Sequence, residues 1–244
     1  MDMPGYIVLS RLSAQQRATE VLAHNMANAD TPGFRGSQPV FTSYLDRRTG
    51  AGGADAAVMT QDRATWRDMT PGPLQATGNP LDLALPGEGF FVLETGRGER
   101  YTRAGRFTLS PEGRIVDPEG NPVLGDAGPI AVPRGDSRIT VAGDGTVRTE
   151  TGPLGRLRIV RFADPQRLAA EGDRLFERPQ GLEAEPVAEP RVVQGSVEGS
   201  NVRPIVEMVR MMAELREFQF ATQFAERESD RQQSAIERIL RRRG

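Results

Sequence analysis

The side chains of this sequence that could do chemistry are few and scattered. His24 is the only histidine, and there is no cysteine. That removes a disulfide framework, a cysteine-based zinc cluster and a thiol nucleophile from consideration. No plausible second ligand sits four residues from His24, which leaves it a structural or solvent-facing residue rather than a metal ligand or general base. Ser10 and Ser13 have no histidine and acid arranged with them in a recognisable nucleophilic motif. The acid pairs Asp62 with Asp68 and Glu183 with Glu185 fall in polar segments, where solvated carboxylates are expected. Gly87-Glu88-Gly89 and Gly96-Arg97-Gly98 look like fragments of phosphate loops, but neither precedes a helix or carries the full glycine spacing. Turn duty explains both. The expectation is a non-enzyme, with no catalytic, cofactor-binding or metal-binding residues.

The chain offers instead two helical ends around a middle that is not helical. Val8, Leu12, Gln15, Thr19, Leu22, Met26 and Ala29 follow one another at steps of four and three, the spacing that keeps side chains on one helix face. Ala14, Ala18 and Val21 widen that face, while Arg11, Gln16, Arg17 and Glu20 lie off it. Asn28-Ala29-Asp30-Thr31-Pro32-Gly33 then stops the helix, because Pro32 pushes Thr31 out of the helical region and Gly33 accepts backbone angles that other residues resist.

At the other end, Ser200-Asn201-Val202-Arg203-Pro204 places a capping side chain before a proline in the first turn, where its missing N–H costs little. A long helix is expected from there. Val202, Val206, Val209, Ala213 and Phe220 make one apolar row; Ile205, Met208, Met212 and Leu215 make a second beside it. The stripe fades between Glu226 and Gln233 and returns at Ile236, Ile239 and Leu240. Each large apolar side chain left in water forfeits roughly 1.5–3 kcal/mol, so something must cover both helices. An antiparallel pair within one chain and pairing between subunits both satisfy that need.

Length and composition set the remaining bounds. A chain of 244 residues can bury a sizeable core as one large or two small domains. A formal net charge of −2 and a pI near 5.7 argue against nucleic-acid binding, and Arg241-Arg242-Arg243 reads as a solvated helix end. No lysine occurs, so every cationic side chain apart from His24 is arginine. No apolar run approaches a membrane span. Asp2 sits where a cleaved secretory signal would carry positive charge, so any export is expected to proceed without one.

Between the helices, Asp46 to Asp55 has the glycine-rich, polar composition of a flexible connection. From residue 81 the period becomes two: Leu81, Leu83 and Leu85 alternate with Asp82 and Ala84, and the apolar run Phe90-Phe91-Val92-Leu93 follows. Short strands are expected at 107–109, 114–116, 122–124, 130–132, 139–141, 146–149 and 157–162, punctuated by turns such as Gly96-Arg97-Gly98 and Asp117-Pro118-Glu119-Gly120-Asn121. With no helical pattern between them, these strands suggest a barrel or sandwich rather than a parallel doubly wound sheet. The fold class is α+β: terminal helices pairing as a coiled-coil-like domain, with a central β-rich domain. Expected boundaries are 1–33 for the N-terminal helix, 34–74 for an extended linker, 75–192 for the β-rich domain and 193–244 for the C-terminal helix.

Three stretches resemble one family. His24-Asn25-Met26-Ala27-Asn28-Ala29-Asp30-Thr31-Pro32-Gly33-Phe34-Arg35 is similar to the signature that ends the first helix of bacterial flagellar rod and hook proteins. It departs at His24 and Met26, which keep a polar and an apolar side chain. Gly89-Phe90-Phe91-Val92 with Tyr101-Thr102-Arg103-Ala104-Gly105-Arg106-Phe107 resembles the central β-domain signature of the same family. Gly195-Ser196-Val197-Glu198-Gly199-Ser200-Asn201-Val202 resembles the segment that opens its C-terminal helix. In place of the family's aromatic-Glu motif and mostly aliphatic helix, this chain has Arg216-Glu217-Phe218-Gln219-Phe220 and a polar run from Glu226.

The resemblance, which spans nearly the whole chain, implies a structural axial subunit of the flagellar basal-body rod that transmits torque to the distal rod and hook. Among members of the family the chain looks most like a proximal-rod subunit, with a distal-rod subunit as the alternative. A secreted β-domain binding module or adhesin, oligomerised by its terminal helices, is the competing class. Implied partners are other rod proteins, further copies of the chain and the flagellar type III export apparatus, with no nucleic acid and no direct membrane span. The implied location is the rod in the periplasmic space, reached without a cleaved signal peptide. The expected assembly interface comprises Leu12, Val21, Leu22, Asn25, Met26, Asn28, Thr31, Pro32, Gly33 and Phe34 at the front, with Asn201, Val202, Ile205, Val209, Met212 and Phe220 at the back.

Overall fold

The computed structural model describes residues 3–48, 55–136, 138–172 and 174–241. The centre of the glycine-rich connection expected at Asp46 to Asp55 falls outside the described residues, as do the side chains of Ile236, Ile239 and Leu240. The chain divides into two compact units, one of residues 1–27, 37–66 and 203–244, the other of residues 28–36 and 67–202.

The first unit holds helix α1 (Met3–Ala27), strand β1 (Ser37–Arg48), most of strand β2 (Asp55–Arg67) and helix α2 (Pro204–Arg241). The expected breaks are present. α1 ends at Ala27, and α2 begins at Pro204, where a residue without an N–H fits the first turn. α2 continues as one helix through the polar run from Glu226 to Gln233. Where the sequence reads as an extended linker, β1 and β2 pair in a two-stranded sheet. α1 packs against both α2 and β1. Its most deeply covered row is Ala14, Ala18, Val21 and Asn25, flanked by Gln15 and Leu22, while Leu12, Thr19 and Met26 are half-buried. The centre of the packed face therefore lies on the small residues that the sequence marked as its edge. Small side chains let a neighbouring backbone approach closely.

The second unit is β-rich. Its largest sheet has six strands in the order Ala169–Glu171, Leu175–Glu177, Gly98–Thr102, Phe90–Thr95, Ile159–Arg161 and Glu185–Pro186, with every neighbouring pair antiparallel. Phe91 and Leu93 enter one apolar cluster with Leu83, Phe107, Val123 and Ile159; Phe90 and Val92 enter a second with Tyr101, Val160, Phe162 and Phe176. Successive residues of a strand point to opposite faces, so the continuous run Phe90-Phe91-Val92-Leu93 marks a strand covered on both sides. Gly96 and Arg97 form the two-residue turn between paired Thr95 and Gly98.

Of the barrel or sandwich that the strand spacing suggests, the barrel does not form. Among the described residues the strands make several separate sheets and no closed barrel. The six-stranded sheet ends at Ala169–Glu171 and Glu185–Pro186, both very short, and Pro186 has no N–H to offer a further strand. Closure would require every strand to pair on both sides with a consistent stagger.

Candidate functional site

Three signature stretches stand out in the sequence, 24–35, 89–107 and 195–202. Within the second unit, parts of all three converge on one junction that holds five chain segments together.

Gly33 reaches it first. Its N–H donates to the Glu198 carbonyl at 2.8 Å, and its φ of +71° belongs to a region that side chains disfavour. A Cβ added there would run into the backbone of Arg103 and Ala104. Gly72 is constrained in the same way, since its Cβ would strike the Gly199 carbonyl. Two backbone crossings are thus close enough to require glycine, and each crossing joins segments far apart in sequence. The turn ahead of Gly33 is fixed by Asn28, whose carbonyl accepts from the Thr31 N–H at 3.2 Å and whose Oδ1 accepts from the Thr31 hydroxyl at 3.0 Å.

The charged centre is Arg35, Glu198 and Arg103. Arg35 Nη2 lies 2.5 Å from Glu198 Oε1, with both side chains 1% exposed, and Arg103 Nη1 lies 3.3 Å from Oε2. Gly72 N–H donates to the same carboxylate at 3.0 Å. Other arms reach carbonyls: Arg35 Nη1 donates to Thr70 at 2.8 Å, and Arg103 donates to Leu85 at 2.9 Å and Gly87 at 2.8 Å, while the Nε of each guanidinium is buried without a hydrogen-bond partner among the described residues. Arg103 also lies over the Phe90 ring, 5.4 Å from its centroid. Two guanidinium groups share one carboxylate, so a buried positive charge is only partly compensated. Burial pushes the Arg103 guanidinium down to about 10; Glu198 acts in the opposite sense, and Arg35 adds to the depression.

Asn201 closes the junction through its amide. Oδ1 accepts from the Gly36 N–H at 2.8 Å, and Nδ2 donates to the carbonyls of Asp68 at 2.8 Å and Thr70 at 3.0 Å. Strands Leu74–Ala76 and Ser196–Glu198 pair antiparallel just beyond it.

A cleft of about 470 Å³ opens beside this centre, bordered by Met69, Phe90, Phe162, Glu88 and Arg161. At the cleft Arg161 pairs with Glu185 at 3.1 Å, and Arg35 and Arg103 turn to the shared Glu198 carboxylate behind it. Among the described residues no group of three or more His, Cys, Asp or Glu side chains could hold a metal ion, and no helix is long and apolar enough to cross a membrane.

In the first unit the two helices run antiparallel, because Arg11 meets Glu217 at 3.1 Å while Asn25, fourteen residues on from Arg11, meets the earlier Glu207 at 3.2 Å. Gln15 also donates to Glu217, at 3.4 Å. The seam is polar at these points. The apolar stripe of α2 lies elsewhere: Ile205 is 80% exposed, Phe220 72%, Val209 62% and Phe224 58%.

Of the expected interface residues, Val21, Leu22, Asn25, Asn28, Gly33 and Phe34 are buried within the single chain; Leu12, Met26, Thr31, Pro32, Asn201 and Val202 are half-buried. Ile205, Val209, Met212 and Phe220 are exposed. Sequence reasoning did not single out Glu198, Arg35, Arg103 or Glu207 as site residues. The first three lie inside the signature stretches, so the signal was present. Glu207 could have been marked as an acid in the first turn of α2, where the helix dipole favours it.

Known proteins match along the chain in the same three places. Residues 6–35 match the family described as flagella basal body rod protein, residues 84–149 the flagellar hook protein FlgE/F/G D1 domain, and residues 193–238 the flagellar basal body rod FlgEFG protein C-terminal region. The flagellar basal-body rod protein FlgF of Caulobacter vibrioides is 34% identical over 98% of this chain and 98% of its own length. FlgF of Salmonella typhimurium is 36% identical over 90% of this chain and 91% of its own. FlgG of Agrobacterium fabrum, also a basal-body rod protein, is 31% identical over 87% and 90%. The chain belongs to the flagellar basal-body rod protein family. Its FlgF relatives make it a FlgF-like structural subunit of the rod in the basal body.

Proposed function

We propose that this rod subunit acts without turnover of any substrate, transmitting torque from the membrane-embedded base to the distal rod and hook through packed helix contacts with neighbouring subunits. The observation that carries the reading is the uncovered stripe of α2: Ile205, Val209, Met212, Phe220 and Phe224 are all more than half exposed in the single chain. Leaving each in water costs roughly 1.5–3 kcal/mol, an investment that makes sense only if another surface covers it. On this reading α1 and α2 form one coiled-coil-like layer. α2 presents the stripe to copies of the chain and to other rod proteins, with Leu12 and Met26 at its margin. The subunit reaches the periplasmic rod through the type III export apparatus without a cleaved signal. The higher identity to FlgF of Caulobacter vibrioides and Salmonella typhimurium, 34% and 36%, than to FlgG of Agrobacterium fabrum, 31%, favours a proximal position over a distal one.

The test is Val209→Asp with Phe220→Asp. Both side chains are exposed, so the monomer should melt as the parent does, while rod incorporation and swimming are lost. Normal swimming with the double substitution would remove the α2 stripe from the assembly surface. Leu22 is a poorer probe, since it is buried inside its own chain.

A further inference from the structure

Asn25 occupies a position that a merely apolar seam does not need. Its amide pairs with the backbone of Ser37 at the start of β1, accepting from the N–H at 2.9 Å and donating to the carbonyl at 2.8 Å, as a neighbouring strand residue would. Its other amide hydrogen goes to Glu207 Oε2 at 3.2 Å on α2. Glu207 Oε1 accepts from Arg210 at 3.1 Å. Asn25 is 3% exposed and Glu207 7%. One side chain thus ties together α1, β1 and α2.

We propose that Asn25 and Glu207 are a positioning pair that locks the register of α2 against α1 and so decides which face of α2 is presented outward. The inference rests on the reading that the outward face of α2 is the assembly surface. Apart from Gln15, which donates to the half-exposed Glu217 at 3.4 Å, the other buried residues described in α1 are Ala14, Ala18, Val21 and Leu22, small or aliphatic side chains whose packing has no directional bond to fix one register. The Arg11–Glu217 pair is 59% exposed on both sides and holds weakly. A slip would bring Glu214 opposite Asn25, an acid whose charged form is disfavoured first by burial and then by the neighbouring Glu217, against the pull of Arg11. In the observed register the acceptor is Glu207, buried and held by Arg210 at 3.1 Å. Buried polar pairs in helical seams act in this way, trading stability for a single alignment.

The chain has no cysteine, so paired cysteines can read the register in the full-length protein. Arg11→Cys with Glu217→Cys reports the observed alignment, and Arg11→Cys with Phe224→Cys reports the one-heptad slip, each read as yield with a short bis-maleimide. In the parent the first yield should dominate. In Asn25→Leu with Glu207→Leu the helices should remain, with melting lowered modestly because the Ser37 N–H and carbonyl lose their partner, while the preference falls by at least about fivefold as expected when a seam loses its polar specificity element. Glu207→Gln, which keeps an oxygen for the Asn25 amide, should retain most of it. An unchanged preference in the folded double-leucine variant overturns the lock. If that variant does not fold, Asn25→Ala is read below its transition, where an unchanged preference overturns the lock equally. Loss of register with normal rod assembly and swimming would instead sink the assembly reading of the α2 face and leave the lock standing.

Discussion

Arg35 and Glu198 form a salt bridge of 2.5 Å with both side chains almost wholly out of solvent. One comes from the turn after α1 and the other from the strand before α2. Together with the Gly33 N–H on the Glu198 carbonyl, this pair fastens the exit of the N-terminal segment to the start of the C-terminal one. The fastening belongs to the β-rich unit and does not depend on the helices. A subunit whose ends must leave from one point therefore has that point fixed by a buried ion pair and tight glycine crossings.

Removing Glu198 should be among the most damaging single changes in the β-rich unit. Glu198→Ala leaves Arg35 and Arg103 buried without their shared carboxylate and the Gly72 N–H without an acceptor. Breaking a buried pair by deleting one partner costs about 3–5 kcal/mol. For a unit of this size that lowers the melting temperature by roughly 10 °C. Glu198→Gln, which keeps an oxygen for Gly72, should melt between the parent and the alanine variant. Equal melting of all three would show that the charges are compensated by some other route.

Glycine substitutions should separate crowding from backbone preference. Gly33 and Gly181 both have positive φ, +71° and +78°, but an added Cβ meets the backbone of Arg103 and Ala104 at the first and nothing within 4 Å at the second. Gly181→Ala should cost about 1 kcal/mol for the disfavoured angle alone. Gly33→Ala adds overpacking against a backbone that cannot move aside, about 1–3 kcal/mol more. Gly72→Ala has no positive φ to blame, so its cost should come from the Gly199 crossing alone. Denaturant midpoints measured on the three variants give the order, and a Gly33 variant as stable as the Gly181 variant would refute the crossing.

How much of this was legible follows from which signals are local. The α1 stop at Asn28 to Gly33, the start of α2 at Pro204 and the doubly covered strand at Phe90 to Leu93 rest on neighbouring residues, and the sequence shows them. The β1–β2 sheet escaped notice because Ser37 to Arg48 has no clean period-two alternation; in Val40-Phe41 and Tyr44-Leu45 the apolar residues come in pairs. Asn201 was marked by resemblance, but its three backbone partners at Gly36, Asp68 and Thr70 could not be, since the choice of partner is made by the fold. The choice between barrel and sandwich stayed open in the sequence for the same reason. Strand spacing suggests many short strands, whereas sheet membership depends on pairings such as Leu175 with Thr102 that no local pattern encodes.

The two units should respond to acid in opposite directions. In the β-rich unit, hydrogen bonding to Arg158 holds the Glu99 carboxyl below its ordinary 4.5, and Arg100 does the same for Glu171. A carboxyl with a lowered folded pKa stabilises the fold above its unfolded value, and that contribution disappears as pH falls through the folded pKa. In the helical unit, burial, with the neighbouring Glu217, raises Glu214 above 4.5 against the pull of Arg11. Here the folded state binds the proton more readily, so the contribution of Glu214 to stability increases as pH falls through the raised value towards 4.5. Segment-resolved hydrogen exchange, corrected for intrinsic rates, should show protection in α1 and the first half of α2 held or increased on mild acidification to just above 4.5. Protection at Gly98–Thr102 and Ala169–Glu171 should then fall below 4.5. Glu214→Gln should abolish the first effect and leave the second. Loss of helix protection ahead of the sheet in the parent protein would contradict the assignment of Glu214.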